Sequence, residues 1–151
     1  MISSTASSPT NTSPIPITVT FSESVTGFVE GDITVGNGSV SNFTGSGTTY
    51  TFYVTPSTDG DITVDIAAGV AQIAAGSDNT AASQFSITYD GTAPANPENL
   101  SATAGDQQVT LGWNKSSEAD LHKYNIYRDT SSPATTIIDS VVASLRQIHF
   151  M

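Results

Sequence analysis

The chain predicts an all-β fold of sandwich type. Three observations carry that expectation. Apolar residues recur with a period of two in short runs, so each run has one buried face. Gly, Asn, Pro and Ser clusters separate the runs at intervals of roughly 8–12 residues, the rhythm of turns between strands. Only 12% of the 151 residues are charged, and Ser, Thr, Gly and Asn take their place. Thr favours strands and Gly and Asn break helices, so that replacement works against a helical fold. One buried face per strand suits two stacked sheets and not a doubly wound parallel sheet.

Residues 3–13 read as a leader or a ragged edge strand. Ile15, Ile17, Val19 and Phe21 then alternate with Pro16, Thr18 and Thr20. Pro16 suits an edge or the first residues of a strand, because it cannot donate to a ladder. Residues 22–28 read as a polar crossover anchored by Val25 and Phe28. Ile33 and Val35 mark a short strand, turned by Gly36-Asn37-Gly38. Val40 and Phe43 mark the next, turned by Gly45-Ser46-Gly47. The clearest strand spans 49–55, with Tyr50, Phe52 and Val54 on one face and Tyr53 among the outward threonines. Residues 56–60 form a loop, and Ile62, Val64 and Ile66 point inward from the strand after it. Residues 67–79 lose the period and are rich in Ala and Gly, which predicts a loop with room for one helical turn. Phe85, Ile87 and Tyr89 close the series. The expected core is Ile17, Val19, Phe21, Ile33, Val35, Phe52, Val54, Ile62, Val64, Phe85 and Ile87.

Asp90-Gly91-Thr92-Ala93-Pro94-Ala95-Asn96-Pro97 must be a joint. Each proline fixes φ, lacks a donor and pushes its predecessor toward extended geometry. The charge changes across it. Residues 1–94 contain eight acids and no Lys or Arg, for −8; residues 95–151 contain six acids and four bases, for −2. Together these give the net −10 of the chain. After the joint, Leu100 and Ala102, then Val109, Leu111 and Trp113, then Tyr124 and Ile126, and finally residues 135–142 restart the strand pattern. The expected organisation is a β-sandwich over 3–90, a linker over 91–97 and a second, partial β-domain over 98–151.

Two resemblances add to this reading. Ile17-Thr-Val-Thr-Phe-Ser-Glu-Ser-Val-Thr-Gly-Phe28, Asp32-Ile-Thr-Val-Gly-Asn-Gly-Ser-Val-Ser-Asn-Phe43, Thr49-Tyr-Thr-Phe-Tyr-Val-Thr-Pro56 and Ile66-Ala-Ala-Gly-Val-Ala-Gln72 resemble the bacterial Ig-like repeats of large surface and secreted proteins. The resemblance implies an immunoglobulin-like sandwich serving as a spacer or adhesion module. Such repeats often place an acidic residue and then Ala-Ala-Gly-Asn after the Gly-Val-Ala run. Here Ile73 stands at the acidic position, and the loop continues Ala74-Ala75-Gly76-Ser77-Asp78-Asn79. Beyond the joint, Pro97-Glu-Asn-Leu-Ser-Ala-Thr-Ala104, Val109-Thr-Leu-Gly-Trp113 and Tyr124-Asn-Ile-Tyr-Arg128 resemble the first half of a fibronectin type III domain. That resemblance implies Trp113 and Tyr124 packed together across two sheets. The family's later strands, with its tyrosine corner, are not in the sequence. After Ser144 the run Leu145-Arg146-Gln147-Ile148-His149-Phe150-Met151 is atypical of the family, so a truncated or frame-shifted end is expected, with residues 98–151 only partly ordered in isolation.

Composition narrows the function classes. A nucleic-acid surface needs clustered Lys and Arg, which four bases do not supply. Anionic membrane surfaces are disfavoured for the same reason. No cysteine is present, which excludes disulfides, Cys-ligated zinc and thiol chemistry. No 18-residue apolar run exists to span a membrane. Met1-Ile2-Ser3-Ser4 lacks the regions of a signal peptide and reads as the interior of a first strand. These observations fit a fragment of a longer chain, and the resemblance to bacterial Ig-like repeats implies that the longer chain is extracellular or on the cell surface.

Candidate chemistry is sparse. Asp59 with Asp61, and Glu118 with Asp120, are i,i+2 carboxylate pairs, but a working pair needs a cleft and one raised pKa. Both pairs fall in loops, where acids are normally solvated. His122 and His149 are the only histidines, and no nucleophile elbow accompanies them. Calcium needs six to eight oxygen ligands. Asp59 and Asp61 on one loop, with Asp78 and Asn79 on another, are the candidate set, provided the loops converge. Tyr53 and Tyr127 are the outward aromatics on which a glycan could stack. The expected function is a non-catalytic structural or adhesion spacer with no required cofactor. Its expected partners are neighbouring modules of the same polypeptide, other surface proteins or glycans. Alternatives are a calcium- or glycan-binding recognition module, or an accessory module of a secreted hydrolase.

Overall fold

The computed structural model describes residues 1–118, 121–144 and 147–150, the last four by their backbone. The chain packs as two units, Met1–Thr92 and Ala93–Met151. Among the described residues there is no α-helix; Glu30–Asp32 is a single 3-10 turn, and the regular structure is otherwise β.

In the first unit, β1 (Ile2–Ser4), β2 (Ile15–Thr26) and β4 (Gly38–Pro56) form one sheet in that order, all antiparallel. The second sheet is β3 (Ile33–Gly36), β5 (Gly60–Ile66) and β7 (Phe85–Tyr89), also antiparallel. A two-residue strand, β6 (Gln72–Ile73), pairs with Val25 and Thr26 of β2 beyond the reach of β1. Thr10 bridges Tyr89 in parallel, which fastens the N-terminal segment to the outer edge of β7. Its amide donates to Thr88 O at 3.0 Å, and Asp90 N donates back to Thr10 O at 2.9 Å.

The run β4 doubles back on itself. Phe43 stacks on Tyr50 with ring centroids 5.8 Å apart. A Cβ on Gly38 would stand 2.9 Å from Thr55 O, and one on Gly45 would stand 2.6 Å from Tyr50 Cα. Gly45 has φ +131° and Gly47 φ +67°, backbone that L side chains rarely adopt. The Gly45-Ser46-Gly47 turn expected from the sequence is therefore the tip of a hairpin.

The core lies between the two sheets. Ile15, Ile17, Val19, Phe52, Val54, Ile62 and Val64 are all less than 2% exposed, and Val25, Phe28, Tyr50, Ile66, Ala71 and Ile87 join them. Phe21, Ile33, Val35 and Phe85, expected to be inside, are only partly buried and pack against this cluster. Phe28 sits among Phe21, Phe43 and Tyr50, edge-on to each with centroids 5.1–5.6 Å away. Edge-to-face pairs of this kind add to the stabilisation from area burial.

Two expectations are corrected. Residues 22–26 are strand, not crossover: β2 runs on to Thr26 after an irregular register between Thr20 and Val25. The polar Ser22-Glu23-Ser24 occupies that bulge, where an extra-long segment leaves the ladder and returns. The 67–79 loop contains β6 and no helical turn.

The second unit has its own two sheets. β8 (Ser101–Gly105), β9 (Gln108–Gly112) and β12 (Gln147–Phe150) form one, with β9 central. β10 (Lys123–Tyr127) and β11 (Ile137–Val142) form the other. Trp113, Tyr124, Ile126 and Val141 are buried together, with Leu111 and Leu121 packed against them. Trp113 meets Tyr124 edge-on at 5.2 Å, the juxtaposition expected of these two residues.

Phe52 is 1% exposed at the centre of the first unit. Phe52→Ala is expected to cost about 3–5 kcal/mol, against a net stability of about 5–15 kcal/mol for an ordinary domain. Equilibrium urea unfolding measures it: the midpoint falls steeply with little change in slope.

Candidate functional site

Three side chains of the first unit, Asn79, Asn37 and Asp59, each build a knot of hydrogen bonds that ties down its loops. The first is built on Asn79. Its Oδ1 accepts from Val70 N and Ala71 N, both at 2.9 Å. Its Nδ2 donates to Ala67 O at 2.8 Å and Thr80 O at 2.9 Å. Its own amide donates to Ala71 O at 2.9 Å. One half-buried carboxamide thus satisfies both ends of the 67–80 loop, which has too little regular structure to satisfy itself. Beside it, Asp78 accepts from Gln72 Nε2 at 2.7 Å.

The second knot is Asn37, at the corner where the chain leaves β3 for β4. A φ of +59° makes the corner possible, and Asn is among the residues that tolerate it. Asn37 Nδ2 donates to Thr58 O at 2.9 Å, its Oδ1 accepts from Thr58 Oγ1 at 2.8 Å, and its carbonyl accepts from Ser57 N at 3.0 Å.

The third knot is Asp59, in the same 57–60 loop. Its Oδ1 accepts from Gly91 N at 2.7 Å and its Oδ2 from the Thr92 hydroxyl. The Thr92 hydroxyl, followed by the Gly91 amide, favours the ionised carboxylate and holds its pKa below the ordinary 3.8, against the opposing effect of desolvation. Asp61, two residues on, accepts from Thr88 Oγ1 at 2.8 Å.

The proposed convergence of calcium ligands does not occur. Asp59 and Asp61 lie at the start of β5, whereas Asp78 and Asn79 lie in the loop that leaves its far end at Ile66. Seven strand residues separate those ends, roughly 20 Å at the usual rise per residue. Asn79 has both amide atoms engaged by backbone. Among the described residues no group of three or more His, Cys, Asp or Glu is placed to hold a metal ion.

The carboxylate pairs and histidines fare similarly. Asp59 and Asp61 are both exposed and bond different partners, so they do not form the clefted pair that acid–base work needs. Glu118 uses both oxygens, at 2.9 and 3.1 Å, to accept from Ala95 N. Asp120 and the side chain of His149 lie outside the described residues. His122 is exposed, and its carbonyl accepts from Ala143 N just beyond the end of the β10–β11 pairing. Tyr53 is 41% exposed beside Pro16 of β2, and Tyr127 is 48% exposed beside Ile137 of β11. Each belongs to a different unit, and each is the single exposed aromatic of its unit among the described residues.

A groove of about 840 Å³ runs along the first unit between the bulged part of β2 and residues 77–86. Ile2, Phe21 and Phe85 supply apolar wall, and Glu23 and Asp78 supply acid. In the second unit, Trp113 Nε1 is buried with no acceptor among the described residues, while Tyr124 Oη accepts from Ser116 N at 2.8 Å.

A family model described as a bacterial Ig-like domain matches residues 1–89. The chain belongs to the bacterial Ig-like domain family. The match covers the whole of the first sandwich, from β1 to β7, and ends before the joint. The Ig-like unit is thus a structural module of a family that is typically non-catalytic and typically found in extracellular or surface proteins. No curated protein and no solved structure matched the chain. Among the described residues no helix is long and apolar enough to cross a membrane.

Two tests address the knots of the Ig-like unit. Asn79→Ala leaves two backbone amides and two carbonyls without partners; it is expected to cost about 1–3 kcal/mol and to raise amide exchange at Val70 and Ala71 above that at Ile62. Asp59 has a depressed folded pKa, so its contribution to stability is present above the unfolded pKa and is lost as pH falls through the folded one. The Tm difference between wild type and Asp59→Asn is therefore expected at neutral pH and to vanish in acid below the carboxyl midpoint. Thr92→Val is expected to move that midpoint upward, read by carboxyl 13C chemical shift.

Proposed function

We propose that the chain is a non-catalytic spacer segment of a bacterial cell-surface or secreted protein. The observation that carries this reading is the commitment of three side chains to the unit's own chain: Asn37 to Thr58, Asp59 to Gly91 and Thr92, and Asn79 to backbone groups from Ala67 to Thr80. Those residues tie down the sandwich ends, where other β-sandwiches carry variable binding loops. Membership of the Ig-like family supports the reading, since its members are structural modules of typically extracellular or surface proteins.

The second unit is read as fibronectin type III-like. Trp113 and Tyr124 meet edge-on between two small sheets, as that resemblance implies. The proposed arrangement is a sandwich over 3–90, a linker over 91–97 and a partial fibronectin type III domain over 98–151, joined to neighbouring modules of the same polypeptide. The low base content argues against a nucleic-acid role.

Calcium titration of the purified chain separates the spacer from a recognition module. A spacer gives no saturable heat and no change in Tm up to millimolar calcium. A saturable heat with a raised Tm would replace the spacer reading with a calcium-stiffened recognition module.

A further inference from the structure

The joint between the units is clamped from both sides by carboxylates. On the side of the first unit, the chain is held as far as Thr92. Asp90 N donates to Thr10 O at 2.9 Å, Gly91 N to Asp59 Oδ1 at 2.7 Å, and the Thr92 hydroxyl to Asp59 Oδ2. On the side of the second unit, the chain is held from Ala95 onward. Ala95 N lies within 3.1 Å of both oxygens of Glu118, and Glu98 O accepts from Asn114 N at 2.9 Å. Each clamp is internal to its own unit.

We propose that the joint bends only at Ala93–Pro94. The composition of 91–97 alone would allow a pivot anywhere along it; the two carboxylates remove all but its middle. Within the remaining segment, Pro94 fixes its own φ and confines Ala93 to extended backbone. The soft rotations left are ψ of Thr92, φ of Ala93 and ψ of Pro94. Bonds from a carboxylate to backbone N–H are charge-assisted and stronger than neutral ones. Asp59 and Glu118 are thus positioning residues that set the length of the pivot, and a tandem chain jointed in this way swivels without its linker paying out. This inference does not depend on the spacer reading, since it concerns only which backbone atoms are held.

The test is 15N relaxation and amide exchange on the full chain, with Ile62 and Tyr124 amides as reporters of intact folding. In wild type, Gly91 and Ala95 are expected near the rigid order parameter of about 0.85 and Ala93 below about 0.6, with Ala93 exchanging at least tenfold faster than either neighbour. Asp59→Ala is expected to spread mobility to Gly91 and Thr92 and leave Ala95 unchanged; Glu118→Ala is expected to do the reverse. Where an alanine variant disturbs the reporter amides, Asp59→Asn and Glu118→Gln serve instead, with smaller changes in the same places. Uniform order parameters from Gly91 to Ala95 in wild type would overturn the proposal, as would charge-removing variants that alter neither clamp.

Discussion

Burial of a single face of β2, β4, β5 and β7 is the constraint from which the rest of the first unit follows. Once Ile17, Phe52, Ile62 and Val64 are sealed between the sheets, the loops at the two ends are fixed in position but short of hydrogen-bond partners. A chain with 12% charged residues has few ion pairs available for that task. It uses carboxamides and carboxylates instead, each turned onto backbone. Asn37 secures the corner between the sheets, Asn79 the long loop after β5, and Asp59 the exit from β7. These bonds join positions 9 to 32 residues apart, so they form once the apolar stripes have brought the loops together, and they refine that fold.

Much of this fold was legible because strand periodicity and glycine punctuation agree with each other. The 49–55 strand, the Gly45-Ser46-Gly47 turn and the β5 stripe all follow from residues within a few positions. What was not legible depended on partners distant in sequence. Ser22-Glu23-Ser24 looked like a crossover because a bulge disrupts the alternation while the ladder resumes at Val25. β6 is two residues long and exists only because β2 presents Val25 and Thr26 to it. Ala71 carries no core signal in the sequence, yet as part of the loop that Asn79 closes it is turned into the core.

The candidate site teaches the same lesson about polar residues. The i,i+2 spacing of Asp59 and Asp61 says that both are near one loop, but not what each carboxylate faces. The structure turns one toward Gly91 and Thr92 and the other toward Thr88. The sequence offers Asn79 as one of four candidate calcium ligands on condition that two loops converge, whereas its role is set by backbone groups from Ala67 to Thr80. Trp113 and Tyr124 were easier, since large aromatics in alternating strands have few places to go other than a core.

The parallel bridge between Thr10 and Tyr89 has a kinetic consequence. Ser8 Oγ accepts from Thr88 N across 80 positions of chain, close to the full span of the unit. Contacts of such sequence separation form only after the loop entropy of everything between them has been overcome. Closure of the N-terminal segment onto β7 therefore belongs late in assembly, and until it happens the outer edge of the second sheet stands open to any other extended chain nearby.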